Sequence, residues 1–344
     1  AVVPQASPVS LSFWASESGS PHGDCVVKIG TTLEPGQSYQ TEGPLVTVFF
    51  GQEASAEKIA AAAQLASMSP PATGALTVDR SDDATVAVDF NAFDAAAERA
   101  FNELGFNTFN FAWLPASIGP YERFQPGYNK VALAVWRQIA AHLAEKGWLE
   151  KMYVYWYDEP EEAAYPYVIE GMKLLHQADP GIRRLLTEQV EEPLIGYVDL
   201  WVPVLSNYDP ERSQARQRAG EEVWWYVCCG PRTPYPNNFI DHPAIEHRIR
   251  FWMQFNYGVT GDLYWSTTYW RDNPWKDGMS WTPDGSGTWG NGDGRLLYPP
   301  AREQPSEPVI RGPVDSIRWE LIREGLEDLE YLYTLASLLH QPVA

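Results

Sequence analysis

The chain has 344 residues, of which 44% are hydrophobic and 13% are aromatic, and it carries a formal net charge of −20. So many aromatic residues exclude a disordered chain, and no apolar run reaches the 18 residues that a membrane-spanning helix needs. Because an acidic protein repels phosphate groups, we expect neither nucleic acid as a partner nor insertion into a membrane.

Residues 1–42 are rich in Ser, Gly and Pro, and they predict a short N-terminal extension, at most a vestigial β appendage. The first ten residues lack a basic segment followed by an apolar one, so no signal peptide is visible. The location of the protein stays open on this evidence, with a secreted or cell-surface location slightly favoured.

From residue 43 to residue 344, strand-like and helical segments alternate. Strands are predicted to begin near residues 45, 75 or 86, 108, 152, 184, 200, 223 and 263. The main predicted helices are 57–68, 93–104, 130–147, 161–177, 210–219 and 244–257. Eight strands that alternate with helices over about 250 residues favour a (β/α)8 barrel of the TIM type. A doubly wound open sheet is the structural alternative, although no GxGxxG follows the first strand.

The C-terminal part of the predicted barrel begins with a long loop, residues 271–312, which is rich in Gly, Pro and Trp. Ordered loops of this length are usually functional. A helix over about residues 315–339 is predicted to end the chain. Within it, Arg318 and Glu320 are interpreted as structural, because ion pairs on helices are common.

Two adjacent carboxylates, Asp158 and Glu159, follow the apolar segment 153–157, which is predicted as the fourth strand. The carboxyl ends of barrel strands open onto the active-site face. Aromatic surroundings and a neighbouring negative charge both raise the pKa of a carboxyl group, which suits a general acid. The same residues also fit a helix start, with Asp158 as N-cap and Pro160 in the first turn. A shared site further requires the strand to end or bulge here, since strict alternation sends neighbours to opposite faces.

Aromatic and amide side chains follow two later strands. Aromatic rings stack on the C–H faces of sugars and amides bind hydroxyl groups, so the pattern predicts a carbohydrate pocket. Its candidate substrate-binding residues are Trp225, Tyr226, Asn237, Asn238, Tyr264 and Trp265. About half of the aromatic residues in this region are expected to be core packing instead.

Metal and cofactor chemistry has little support in the sequence. His242 and His247 are five positions apart, which does not place both on one helical face, and no HExxH, GxSxG or P-loop motif is present. The three cysteines, Cys25, Cys228 and Cys229, form neither a disulfide framework nor a CxxC motif, and we interpret them as small buried hydrophobic residues. We therefore predict no metal site and no cofactor.

Four segments together resemble the catalytic domain of glycoside hydrolase family 123, which contains β-N-acetylgalactosaminidases. They lie between about residues 85 and 340, and they read YWYDEP, WWYVCCGPRTPYPNNFID, GVTGDLYWSTTYW, and GDGRLLYPP with the later SIRWELIREGLEDLEYLYTL. The resemblance implies a (β/α)8 barrel and a retaining exo-hydrolase. The implied substrate carries a terminal β-linked 2-acetamido sugar, N-acetylgalactosamine above all.

The resemblance also implies how such an enzyme works. The acetamido oxygen of the substrate attacks C1 and forms an oxazolinium intermediate, so no carboxylate nucleophile is needed. The acidic pair of the family falls on Asp158 and Glu159. Glu159 is then implied as general acid and base, and Asp158 is implied to orient the acetamido group.

Two other hypotheses stay open on the sequence. One is a glycosidase of the same fold that acts on a sugar without an acetamido group, with Glu188 or Asp262 as a separate nucleophile. The other is a non-catalytic carbohydrate-binding barrel, which predicts sugar affinity without turnover. In each case the expected partner is a glycan or glycoconjugate, and the oligomeric state is unknown.

Overall fold

A computed structural model describes residues 10–14, 24–28, 88, 90–103, 105–111, 113–118, 120–270, 273–299 and 314–339. The strands predicted near residues 45, 75 and 86 and the helix predicted at 57–68 lie outside these residues. The helices are α1 (Asn91–Asn102), α2 (Pro126–Glu145), α3 (Tyr165–Ala178), α4 (Pro210–Arg218), α5 (Ala244–Tyr257) and α6 (Ile317–Leu338). Short 3-10 turns occupy Leu149–Lys151, Glu162–Ala164, Glu192–Leu194 and Leu205–Asn207.

The strands are mostly short. In chain order they are β1 (Ser10–Trp14), β2 (Asp24–Lys28), β3 (Phe109–Asn110), β4 (Ser117–Ile118), β5 (Tyr121–Glu122), β6 (Met152–Val154), β7 (Arg183–Leu186), β8 (Leu200–Trp201), β9 (Glu222–Val223), β10 (Trp225–Val227), β11 (Gly261–Tyr264), β12 (Met279–Trp281), β13 (Thr288–Asn291), β14 (Leu297–Tyr298) and β15 (Val314–Asp315). The strands predicted near residues 108, 152, 184, 200, 223 and 263 are therefore confirmed.

A parallel sheet forms the centre of the fold. One run of hydrogen-bonded strands has the order β3-β6-β7-β8-β9, and a second has the order β10-β11-β1-β2. Every pairing in both runs is parallel except that of β1 with β2. A parallel bridge between Val204 and Tyr226 joins the two runs. The fold is thus mixed α/β with a parallel central sheet, as the alternation of segments predicted.

Two strands of this sheet come from residues 1–42. Ser10 of β1 lies opposite Gly261 of β11 in parallel register, and β2 pairs with β1 in antiparallel register. This part of the predicted extension therefore belongs to the central sheet and is not a separate appendage. The domain boundary at residue 42 stays a prediction.

Alternate residues of the central strands face two different cores. On one face, side chains from five strands form a compact inner cluster, which consists of Tyr153, Tyr155, Leu185, Leu200, Val202, Trp224, Tyr226 and Leu263. Their neighbours on the other face, such as Val154, Leu186 and Trp201, pack with the helices. Because both faces are covered, the strands read as continuous apolar runs.

The helices follow the apolar periodicity of the sequence. Val131, Val135, Ile139 and Leu143 recur every four residues on the buried side of α2. This helix begins four residues before its predicted start, since Pro126 suits the first helical turn. None of the helices in the described part of the chain is both long and apolar enough to cross a bilayer.

The region predicted as a long loop contains regular structure where it is described. β12 and β13 form an antiparallel hairpin, and β14 pairs with β15. Residues 273–299 therefore contain regular secondary structure where an irregular loop was expected. Strands of two to four residues that contain Gly and Trp carry too little alternation to be detected from the sequence.

A buried ion pair connects α5 to the sheet. Arg250 Nε lies 2.9 Å from Asp262 Oδ2, and the two side chains are 1% and 0% exposed. Removing one partner of a buried pair leaves an uncompensated charge. We expect Arg250→Met to lower the free energy of unfolding, measured by urea denaturation, by about 3–5 kcal/mol. The control Arg323→Met removes partly exposed pairs with Glu320 and Glu327, for which a loss of about 1 kcal/mol or less per pair is expected. A loss in the control as large as that in Arg250→Met would contradict the prediction.

Candidate active site

The chain turns sharply after β6. Hydrogen bonding along the strand ends at Val154, and the Tyr155 N–H donates instead to Asn110 Oδ1 at 2.9 Å. Glu159 then has a φ of 41°, a left-handed conformation that is uncommon for residues other than glycine. Strict alternation therefore ends before the acidic pair. Asp158 and Glu159 are both exposed to solvent, and their side chains bind two other strands, Asp158 through Thr187 directly after β7 and Glu159 through Tyr226 on β10.

Thr187, which directly follows β7, holds the acidic pair in place. The Thr187 hydroxyl donates to Asp158 Oδ1 at 2.8 Å, and its oxygen, Oγ1, accepts the Glu159 N–H at 2.8 Å. The Tyr155 hydroxyl also donates to Asp158 Oδ1. The alternative of Asp158 as a helix cap is wrong, because α3 begins only at Tyr165, with Ala164 as its N-cap residue.

Glu159 is bound through its side chain to another strand. Its Oε1 accepts a hydrogen bond from the Tyr226 hydroxyl, and its Oε2 has no hydrogen-bond partner among the described residues. The pKa of Glu159 is raised, mainly because surrounding protein atoms disfavour its charged form. The Tyr226 hydrogen bond lowers this pKa, and the charge of Asp158 raises it. The net direction favours a carboxylic acid that keeps its proton to higher pH, as a general acid must.

The Tyr226 hydroxyl provides a test of that balance. It stabilises the ionised form of Glu159, so Tyr226→Phe is expected to raise the pKa of Glu159 further. If activity requires protonated Glu159, the basic limb of the profile of kcat/KM against pH moves to higher pH. The measurement is that profile in both proteins. A basic limb that stays in place in Tyr226→Phe would contradict the assignment of Glu159 to it.

A third carboxyl group, Glu188, lies beside this pair. It is nine-tenths buried, and burial is the main cause that raises its pKa to about 7. Hydrogen bonds from Gln189 lower that pKa, and the charges of Glu191 and Glu159 raise it. Glu188 is therefore only partly ionised at neutral pH. In the described part of the chain, no group of three His, Cys, Asp or Glu side chains is arranged to hold a metal ion.

Of the predicted pocket residues on β10, the structure brings only Tyr226 to the acidic pair. Trp225 points to the opposite face, where its Nε1 donates to Asp262 Oδ2 at 3.2 Å and its ring packs against Tyr208. Trp225 is 0% exposed, so it contacts no ligand unless the helices move.

The two predicted amides are also buried. Asn237 donates from Nδ2 to the carbonyl oxygens of Cys228 and Pro231, at 3.1 and 2.8 Å, and accepts the Asn238 N–H at 2.6 Å. Asn238 Oδ1 accepts from Arg250 at 2.8 Å. These contacts shape the loop after β10, so both amides are buried and bound within the protein.

Tyr264 and Trp265 meet at Asp293 rather than at the acidic pair. The Tyr264 hydroxyl and the Trp265 Nε1 each donate to Asp293 Oδ1 at 3.0 Å. Burial raises the pKa of Asp293 to about 6, although the two hydrogen bonds lower it. The Trp265 ring, which is partly exposed, packs against Tyr269 and Trp289 with centroid distances of 5.0 and 4.7 Å. An aromatic group of this kind can form one wall of a sugar pocket.

Comparison with known proteins identifies the domain. Residues 76–335 match the model of the glycoside hydrolase 123 catalytic domain. The chain belongs to this family. The family 123 match confirms the resemblance found in the sequence, and it places Asp158 and Glu159 inside the catalytic domain of a glycoside hydrolase.

One solved structure supports the fold. A family 123 glycoside hydrolase from Clostridium perfringens, studied for glycolipid glycan hydrolysis, matches with a TM-score of 0.55 and 19% identity over 74% of this chain. The match covers 48% of that enzyme, so the chain spans about half of its length. A family 5 mannosidase from Rhizomucor miehei, with a TM-score of 0.31 and 14% identity over 76% of this chain and 68% of that one, is too distant to support an argument. No curated protein matches the chain.

Sequence reasoning missed three residues that bind the side chains of predicted site residues, namely Thr187, Tyr155 and Asp293. Thr187 is a polar residue directly after an apolar strand, and that position at the carboxyl end of β7 was a usable signal. Tyr155 lies in the apolar segment 153–157, so its residue type predicted only core packing. Asp293 lies in the glycine-rich segment 290–294, within the region that was predicted as a long loop. Arg318, interpreted as structural, donates to the carbonyl oxygens of Asn238 and Gly292 at 2.6 and 2.8 Å.

Proposed function

We propose that the protein is a retaining exo-glycoside hydrolase that releases a terminal β-linked 2-acetamido sugar, N-acetylgalactosamine above all. Its substrate is a glycan or glycoconjugate. The observation that carries the proposal is the adjacent pair Asp158 and Glu159, each held by its own partner at the carboxyl ends of the sheet. The work on glycolipid glycans with the Clostridium perfringens relative supports the same class of substrate.

The first step uses both carboxyl groups, Glu159 at the leaving oxygen and Asp158 at the acetamido group. The acetamido oxygen attacks C1 as the bond from C1 to the leaving oxygen breaks, and Glu159 gives its proton to that oxygen. Asp158 accepts the acetamido N–H and stabilises the positive charge of the oxazolinium ring. The hydrogen bonds from Thr187 and Tyr155 keep the Asp158 carboxylate in position.

The second step returns the enzyme to its starting state. Glu159, now ionised, accepts a proton from a water molecule that attacks C1 and opens the oxazolinium ring. Two displacements at C1 retain the β configuration. The Tyr226 hydroxyl stabilises Glu159 during the interval in which it is charged.

The alternative with a carboxylate nucleophile has weaker support. Burial raises the pKa of Glu188 to about 7, so this carboxyl group is only partly ionised at neutral pH, whereas a nucleophile must be ionised. Asp262 is fully buried and paired with Arg250. An acetamido group that serves as the nucleophile removes the need for either residue.

We further propose that the central sheet closes into a (β/α)8 barrel. The inner cluster gathers side chains from β6, β7, β8, β10 and β11, as expected for strands that surround one core. At the ends of the strand order, β2 lies beside β3. This arrangement supports a closed sheet whose carboxyl ends surround the acidic pair.

Turnover of two matched substrates tests the proposed function. We expect hydrolysis of p-nitrophenyl N-acetyl-β-D-galactosaminide with a β-configured first product, detected by NMR, and no hydrolysis of the plain β-galactoside. Equal cleavage of both substrates would contradict substrate assistance. Cleavage of neither would contradict the assignment of the sugar.

A further inference from the structure

Two adjacent cysteines lie at the end of β10, close to the acidic pair. The Sγ atoms of Cys228 and Cys229 are 3.7 Å apart. Cys229 is exposed and Cys228 is half-buried, so the prediction that the cysteines are buried hydrophobic residues is wrong for Cys229. An exposed thiol beside a second thiol requires another explanation.

The cysteine pair is connected to Glu159 through the strand itself. Tyr226, which donates to Glu159, is two residues before Cys228 on the same extended segment. The backbone of Cys228 is held on both sides, because its N–H donates to the Gly230 carbonyl at 2.7 Å and its carbonyl accepts from Asn237 at 3.1 Å. A change in the backbone at Cys228 is therefore transmitted over a short distance to Tyr226.

The two thiols differ in reactivity. The contact between the two thiols lowers the pKa of Cys229 and raises that of Cys228. The thiolate is the nucleophilic form of a cysteine. Cys229, which is also the exposed member, is thus the thiol that reacts first with a reagent from solution.

We propose that Cys228 and Cys229 form a reversible disulfide that displaces Tyr226 from Glu159 and so reduces hydrolysis. In the first step the Cys229 thiolate attacks a low-molecular-weight disulfide, bonds to one of its sulfurs and releases the other as a thiolate. In the second step the Cys228 thiol loses its proton to solvent, and its sulfur attacks the Cys229 sulfur and releases the second small thiol. The two protein thiols are oxidised, and one small disulfide is reduced to two thiols.

The geometry of neighbouring residues makes this disulfide both disruptive and reversible. Adjacent Cα atoms are about 3.8 Å apart, less than the roughly 4.4–6.8 Å that an unstrained disulfide spans. Closing the ring from a sulfur separation of 3.7 Å therefore requires rotation of the backbone at Cys228. That rotation weakens the hydrogen bonds of Cys228 to Gly230 and Asn237. Strained disulfides are also easily reduced, which suits a regulatory bond.

Mass spectrometry tests the disulfide without reference to activity. The folded protein is treated with oxidised glutathione, and we expect the loss of two hydrogens, located by peptide mapping to Cys228 and Cys229 and reversed by dithiothreitol. Cys228→Ser is expected to keep glutathione on Cys229, since the resolving thiol is gone. Cys25→Ser, the matched control for the third cysteine, should behave as wild type. A stable glutathione adduct on wild-type Cys229, or a disulfide that contains Cys25, overturns the proposal.

The effect on hydrolysis rests on the proposed function and is measured separately. We expect the oxidised protein to lose about tenfold or more in kcat/KM and to recover fully with dithiothreitol, since small misplacements of a catalytic group are costly. Its remaining activity should show the basic limb moved to higher pH, as in Tyr226→Phe. Unchanged activity in protein that is fully oxidised overturns the link to Tyr226. If the reduced protein has no activity, the proposed function fails, whereas the mass measurement still decides the disulfide.

Discussion

Glu159→Gln is expected to lower kcat/KM for p-nitrophenyl N-acetyl-β-D-galactosaminide by about 10²–10⁴-fold, the range of a lost general acid. The glutamine keeps the size of the side chain and can still accept from Tyr226, but it has no proton to give to the leaving oxygen. The loss should be larger for a substrate with a sugar as leaving group, because that oxygen needs the proton more than p-nitrophenolate does. Steady-state kinetics with both substrates measures the difference.

The matched control for this substitution is Glu161→Gln. Glu161 is two residues further along the chain and is exposed, and its side chain makes no capping hydrogen bond. We expect its kcat/KM to stay close to wild type. Equal losses in the two variants, or an equal loss in Glu159→Gln for both leaving groups, would contradict the role of Glu159 as a proton donor.

Asp158→Asn is expected to lower kcat/KM for the acetamido substrate by about 10²–10³-fold, because it removes the charge that faces the oxazolinium ring. The asparagine can still accept the hydrogen bond from Thr187, so the position of the side chain is largely kept. The charge of Asp158 also raises the pKa of Glu159. Its removal should therefore move the basic limb of the profile of kcat/KM against pH to lower pH, opposite to the shift in Tyr226→Phe.

The control for this second prediction is Asp241→Asn. Asp241 is an exposed aspartate that accepts from Asn291 at 2.7 Å, well away in sequence from the acidic pair. Neither its activity nor its pH profile should change. Wild-type activity in Asp158→Asn would remove the acetamido group from the mechanism, and a shift of the basic limb to higher pH would contradict the electrostatic argument.

Much of the architecture could be predicted from local patterns. The bounds of α5 agree with the prediction for residues 244–257, because a helical repeat of apolar residues depends only on neighbours within a few positions. The strands of the central sheet were visible as apolar runs, since both of their faces are buried. The hairpin of β12 and β13 was not visible, because its strands are short and rich in Gly and Trp.

The site was predictable only in part, and the reason is distance along the chain. The adjacent pair Asp158 and Glu159 is a local feature that follows a recognisable strand. The partner of Glu159, Tyr226, is 67 residues away, and Thr187 is 29 residues from Asp158. No periodicity in the sequence encodes which side chains of different strands meet. Asn237 and Asn238 were instead predicted as binding residues from their residue type, and the fold buries both of them.

The sequence by itself determined the family, the alternation of strands and helices, and the two neighbouring carboxyl groups, because each of these is expressed in residues that are close along the chain. Only the tertiary structure decided how the two carboxyl groups differ. The left-handed turn at Glu159 gives it the Tyr226 hydroxyl, while Thr187 and Tyr155 bind Asp158. A proton affinity depends on the burial, charges and hydrogen bonds that surround a group, and those surroundings exist only when distant strands are packed side by side.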